Sequence, residues 1–201
     1  MKRENLSKIE KEQAPATSGI LIHWSRYYDL LLTLLTLGRE KQIREKILNL
    51  AAVKEGEAVL DVGCGTGTLA IAASRRVGDK GSVCGVDAAP EMVERARKKG
   101  DGLDIEFHLA VAERLPFPDG QFDVVLNTFF LHHLPIDIRG TALKEMNRVL
   151  KPSGRMFAAD FDLDTSLTLF KEAEFRVIES GKTMFKILNY ALTKPDNSKP
   201  S

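Results

Sequence analysis

Cysteine is scarce in this chain: Cys64 and Cys84 are the two in 201 residues. That excludes a disulfide framework, and a reducing, cytoplasmic setting is expected. No excess of one charge is present either, with 29 Lys and Arg against 28 Asp and Glu. The basic residues are spread along predicted helices beside acids, which leaves no electrostatic footprint for a nucleic-acid backbone and argues against that partner. Long apolar runs are missing as well. The uninterrupted stretch Leu30 to Leu37 falls far short of the ~20 residues that cross a bilayer, so no stable membrane insertion is expected. Met1 to Gln13 is charged throughout, unlike a signal peptide. No further Cys or His stands at ligand spacing near the two histidines discussed below, so no metal centre is expected.

What the chain does contain is apolar material, 43% of its residues, enough for one domain with a substantial core on a scale of ~100–200 residues per domain. Its organising stretch runs from Ala58 to Thr68. Ala58 to Val62 reads as a short apolar strand, Gly63-Cys64-Gly65-Thr66-Gly67 as a tight turn, and Leu69 onward as a helix. Glycine suits such a corner because the turn needs positive φ and because a side chain would hold the backbone away from a ligand. A dinucleotide fingerprint would need its third small residue one place later, and a P-loop would need a lysine after the glycines. Asp61, ahead of the first glycine, instead suits a ligand with a cationic amino-acid end. A second strand, Gly81 to Asp87, ends in an acid that either accepts two hydrogen bonds from a ribose diol or caps the helix Pro90 to Lys99.

These segments resemble the class I S-adenosylmethionine-dependent methyltransferases, and in particular the quinone-biosynthesis type. VLDVGCGTG matches the family's first motif and VDAAPEM its second; AVAERLPF followed by FDVV resembles its adenine segment, and KEMNRVLKPSGRMFAAD its later helix-turn-strand. The resemblance covers about Tyr27 to Pro195. It implies that Asp61, Gly63, Cys64, Gly65, Thr66 and Gly67 hold the amino-acid end and that Asp87 and Ala88 take the ribose. It places Met92, Ala112 and Glu113 beside the adenine, and adds Asn127 and Tyr28 to the cofactor cleft. S-adenosyl-L-methionine is the implied cofactor and S-adenosyl-L-homocysteine the product. Ala110 and Val111 replace the family's Gly and Asp, so a backbone carbonyl or Glu113 must meet the adenine amino group.

The fourth strand, Phe122 to Asn127, leads into Thr128-Phe129-Phe130-Leu131-His132-His133, at the edge where open α/β sheets bind ligands. Asn127 and Phe130 lack the two prolines of a nucleobase amino-methyltransferase signature. His132 and His133 are candidate catalytic bases, since an ordinary histidine titrates near ~6.5, with a helix-cap or core role as the plainer reading. Pro116, Phe117 and Phe122 read as loop anchors, and Arg95, Arg97, Lys98 and Lys99 as a solvated face. A helix from Asp137 to Leu150 stopped by Lys151 to Gly154, a strand from Arg155 to Asp160, a helix from Leu167 to Glu174, and strands Arg176 to Ser180 and Met184 to Leu192 turning at Gly181-Lys182 complete the reading.

The expected fold is one α/β domain with a Rossmann-like, seven-stranded, mostly parallel sheet, helices on both faces and an antiparallel last hairpin. The resemblance implies strand order 3-2-1-4-5-7-6. Residues 1–18 read as a polar arm, 19–193 as the domain with an N-terminal helical cap over 19–52, and 194–201 as a polar tail. The implied reaction is in-line methyl transfer to a small or hydrophobic, lipid-like acceptor, with a non-catalytic or partner-activating subunit as the rival and a homodimer left open. Arsenic methylation, which needs several thiolates, is excluded by the cysteine count. Only Phe161 to Ser166 separates the fifth strand from the next helix, so the aromatic segment His23 to Leu37 is expected to cover the acceptor.

Overall fold

The computed structural model describes residues 39–161, 163, 167–183 and 188–196. The polar arm, the segment His23 to Leu37 expected to cover the acceptor, Tyr28 and residues 197–201 lie outside that set. Of the expected cap, the described part is helix α1, Glu40–Leu50, which buries Ile47 and Leu48. Strand β1 (Ala58–Val62) leads through the glycine turn into α2 (Thr68–Val77); β2 (Ser82–Asp87) leads into α3 (Pro90–Lys99). Strands β3 (Ile105–Leu109) and β4 (Phe122–Thr128) follow, then a short 3-10 turn at Leu131–His133, α4 (Ile136–Val149), β5 (Leu150–Asp160), α5 (Leu167–Glu172), β6 (Phe175–Thr183) and β7 (Leu188–Pro195).

The seven strands form one sheet in the order β3-β2-β1-β4-β5-β7-β6. Strands β1 to β5 pair in parallel, and β7 runs antiparallel to both β5 and β6. Alternation along the strands sends neighbouring residues to opposite faces. Val59, Val83, Val124 and Phe157 meet Leu48, Ala70, Ala73 and Ala96 of α1 to α3 on one face. Leu60, Val86, Val125 and Met156 meet Leu143, Met146 and Phe170 of α4 and α5 on the other. Both faces of β1 and β4 are therefore sealed, and their ligand-facing chemistry is confined to the carboxyl ends.

Two boundaries differ from expectation. Residues Lys151 to Gly154 do not form a separate stop: β5 begins at Leu150, which pairs with Phe122 before the register shifts at Val124. A side chain on Gly154 would meet the Leu150 side chain and the Lys151 carbonyl within 2.9 Å, so the irregular start of β5 needs glycine there. Gly181 and Lys182 are not the hairpin turn either; they lie inside β6, opposite Tyr190 and Asn189. A Cβ on Gly181 would sit 3.0 Å from the Tyr190 ring, so this glycine makes room for an aromatic cross-strand neighbour. Strand β6 runs on to Thr183, and Lys194 and Pro195 belong to β7 rather than to a tail.

Candidate cofactor and acceptor site

The glycine corner adopts the conformation its composition demands. Gly63, Gly65 and Gly67 have φ of 73°, 53° and 78°, a left-handed region that costs other residues about 1 kcal/mol or more. The N–H groups of Gly63 and Cys64 both donate to the Val86 carbonyl, at 2.8 and 2.9 Å, which ties the turn to the end of β2. A Cβ on Gly63 would fall 2.3 Å from the ring of Phe130, so this glycine also lets the β4 loop close on the corner. The resulting pocket is bounded by Asp61, Gly63 and Gly65 on one side, by Thr128 and Phe129 from the end of β4, and by Glu40 and Arg44 of α1.

Two acids serve the corner differently. Asp61 is 1% exposed, and its Oδ2 meets no hydrogen-bond donor among the described residues. Burial, and then the charge of Asp87, push its carboxyl up to about 7, against a lowering by the Ala70 N–H. A buried carboxylate with one oxygen lacking a donor is costly, so a cationic group beside Oδ2 would satisfy it. Asp87 accepts from Gly65 N–H through Oδ2 and from Ala89 N–H through Oδ1, both at 2.9 Å. It therefore holds the turn and the start of α3 while half-exposed at the strand end, and burial raises its carboxyl against those backbone donors. Asp87 thus braces the turn ahead of α3, whose N-cap residue is Ala89, rather than capping the helix itself.

The other expected residues are distributed around this corner. Cys64 is buried with its thiol driven upward, first by burial and then by Asp61 and Asp87, so it fills space as a neutral group. Thr66 is buried and accepts from Lys99 Nζ at 2.9 Å; Arg97 donates to the Phe107 carbonyl. Both cations are exposed, as a solvated face requires, and reach back from it to these partners. Met92 and Ala112 are buried, while Ala88 and Glu113 are half-buried. Asn127 is buried and donates through Nδ2 to the Val62 carbonyl at 3.2 Å, joining β4 to β1, and its Oδ1 finds no donor among the described residues. Phe117 and Phe122 anchor the loop ahead of β4 edge to face, with centroids 5.0 Å apart; Pro116 is exposed instead. Parallel pairing of β2 and β3 also brings Cys84, Glu106 and His108 together, with ligand atoms within 4.8 Å, a grouping that linear spacing concealed.

His132 and His133, the candidate bases, have a partner that the sequence alone did not point to. His132 Nδ1 lies 2.7 Å from Asp160 Oδ1, and the His132 backbone N–H donates to Asp160 Oδ2. Asp160, the last residue of β5, is 1% exposed, and Phe161 N–H donates to it at 2.7 Å. Burial alone would raise this carboxyl, but the hydrogen bonds and charge of His132 outweigh it and hold Asp160 below the usual range. The carboxylate accepts, so Nδ1 carries the hydrogen, and whenever the ring is neutral its lone pair is on Nε2. His133 packs against His132 with centroids 3.8 Å apart. Burial, then the neighbouring His132 charge, lower its pKa, so it stays neutral beside its neighbour. Phe161, 53% exposed, stands beside both His132 and Phe129. Phe129, held at φ 54°, also lines the cofactor pocket and so joins the two halves of the site. The readable signal for Asp160 was its place at a strand's carboxyl end, next to β4 in the predicted order.

Comparison with known proteins accords with this geometry. Residues 59–154 match the family described as a methyltransferase domain. The demethylmenaquinone methyltransferase of Staphylococcus aureus is 35% identical over 167 residues, covering 83% of this chain and 67% of the relative. A SAM-dependent methyltransferase from Aquifex aeolicus superposes with a TM-score of 0.71 at 26% identity, over 82% of this chain and 96% of the other. A Pyrococcus horikoshii protein, at 22% identity and a TM-score of 0.68 over 85% of this chain and 98% of its own, shares the fold. The chain belongs to the class I S-adenosylmethionine-dependent methyltransferases, of the quinone-biosynthesis type. It is an enzyme that uses S-adenosylmethionine, yields S-adenosylhomocysteine and methylates a small or hydrophobic acceptor. Among the described residues no helix is long and apolar enough to cross a membrane.

Proposed function

We propose that the acceptor is a flat ring bearing a hydroxyl, the reduced form of a demethylated quinone of the kind named in the Staphylococcus aureus relative, and that the protein works in the cytoplasm. The observation that carries this is the His132–Asp160 pair, set beside the exposed ring of Phe161 and joined through Phe129 to the cofactor pocket. The corner fits the cofactor through the orphaned Asp61 oxygen and the glycine cradle. In this reading Asp61, Gly63, Cys64, Gly65, Thr66 and Gly67 surround the amino-acid end, Asp87 and Ala88 the ribose, and Met92, Ala112 and Glu113 the adenine; Asn127 and Tyr28 complete the cleft.

When bound, S-adenosylmethionine supplies an electrophilic methyl group on a sulfonium. The chain's own residues prepare the nucleophile. Phe161 and Phe129 offer aromatic faces to the ring, His132 Nε2 takes the hydroxyl proton so that the electron pair is shared with the neighbouring ring carbon as nucleophile, that carbon releases its own hydrogen as a proton once methylated, and Asp160 offsets the charge that forms on the imidazole. His133, kept neutral, restricts the tilt of its neighbour. The experiment is transfer of labelled methyl to a short-chain demethylmenaquinol. His132→Ala is expected to lose about 100-fold or more in turnover while cofactor affinity is kept. Undiminished turnover in that variant would remove the base, and no turnover by the unaltered protein on any hydroxylated ring would remove this acceptor class.

A further inference from the structure

We propose that Arg44 of α1 holds the carboxylate of the cofactor's amino-acid end, which would make the helix before the Rossmann-like sheet part of the binding site; this rests on the cofactor reading of the glycine corner. An Arg four residues after a Glu on a helix ordinarily forms a solvent-facing pair. Here Arg44 Nη1 meets Glu40 Oε2 at 3.0 Å, yet the two side chains are only 24% and 19% exposed. Both line the pocket that contains Asp61, Gly63, Cys64 and Gly65. The pair is therefore turned onto the ligand side of the sheet rather than away from it.

The ligand's chemistry explains the arrangement. Its amino-acid end carries an ammonium and a carboxylate, and the sulfonium adds a second positive charge. Asp61, with its orphaned Oδ2, answers the cations, but a pocket of carboxylates alone would repel the ligand's own carboxylate. Among the described residues lining the pocket, Arg44 is the cation. A guanidinium presents five donors in a planar fork, so it can keep Glu40 on one edge and take a second carboxylate on another. The charges also balance: Glu40 and Asp61 against Arg44 leave one negative charge when both acids are ionised, and the ligand brings one net positive charge. Glu40 then acts as the group that aims the fork, a positioning role.

Calorimetry with the full chain and two ligands tests this. S-adenosylhomocysteine carries the amino-acid end, and 5′-methylthioadenosine has the same nucleoside and thioether without it. Arg44→Ala is expected to weaken S-adenosylhomocysteine by about 10-fold or more and methylthioadenosine by less than about twofold, with Arg44→Lys between the two. Retained methylthioadenosine binding reports that the variant is folded. The proposal is overturned if Arg44→Ala binds S-adenosylhomocysteine within twofold of the unaltered protein, or if both ligands weaken equally, which would make Arg44 a packing residue. If the unaltered protein binds neither ligand, the cofactor reading fails and takes this proposal with it.

Discussion

Asp61 should make cofactor binding depend on pH, and the effect can be sized. Its carboxyl stands at about 7 against an ordinary 3.8, a gap that amounts to about 4 kcal/mol between the two protonation states. The sign follows from linkage. An acid whose pKa is raised by folding contributes stability that is complete below about pH 4 and is lost as pH rises through about 7. A cation beside Oδ2 reverses this by favouring the ionised form. Affinity for S-adenosylhomocysteine should therefore climb from pH 5.5 toward 7.5 and then flatten, with up to one proton released at the acid end of that range. Calorimetry in two buffers of different ionisation enthalpy counts that proton. In Asp61→Asn the slope should vanish, affinity at pH 8 should fall by about tenfold or more, and the ligand-free protein should melt higher at pH 8. Asp87, also raised by burial, is unchanged in this variant, so any slope that survives belongs to it. An affinity in the unaltered protein that does not vary from pH 5.5 to 8 would refute the account.

Other outcomes are open to simpler measurement. Asp87→Ala should weaken the cofactor by roughly 1–3 kcal/mol through loss of charge-assisted bonds, and the Gly65 and Ala89 N–H groups lose their partner at the same time; unchanged affinity with an intact fold would remove the ribose role. Gly65→Val should abolish binding in a folded protein, because φ at 53° and contact with the ligand both oppose a branched side chain; normal binding would place the site elsewhere. Asp160→Asn should lower turnover and shift its pH profile while leaving cofactor affinity alone, since Asp160 acts on His132; an unmoved profile would reduce the pair to a structural contact. A protein beginning after Gly38 should lose turnover and show faster hydrogen exchange around Phe129 and His132; full activity would make the preceding segment packing only.

Much of this architecture was legible because it is locally encoded. Strands Ala58–Val62 and Ile105–Leu109 and helix Pro90–Lys99 emerge with the boundaries their alternation, proline and flanking glycines imply. The strand order came through family likeness, since no periodicity in the chain states which strand pairs with which. What escaped was tertiary. The early start of β5 depends on Leu150 finding Phe122 across a register shift, and a proline inside that stretch argued for a break. Gly181 looked like a turn residue because its partner, the Tyr190 ring, is nine positions away and invisible to local reading. The places of Asp160 and Arg44 escaped for the same reason: one reads as a strand end and the other as half of an i,i+4 pair, until the sheet sets Asp160 beside His132 and α1 sets Arg44 in the lining of the pocket at the glycine corner.

Arg155, far from any proposed ligand, donates to the carbonyls of Ala51 and Ala52 just past α1 and pairs with both oxygens of Glu57 ahead of β1. These bonds moor the foot of α1, while Glu40 and Arg44 occupy its other end. If the mooring were cut, nothing in the pocket would be removed, but the helix would have to be ordered anew each time the pocket filled, and that entropy would be charged to binding. A mutational scan scored on affinity would thus mark Arg155 as a contact residue, and thermal melting without ligand would be needed to separate the anchor from the grip.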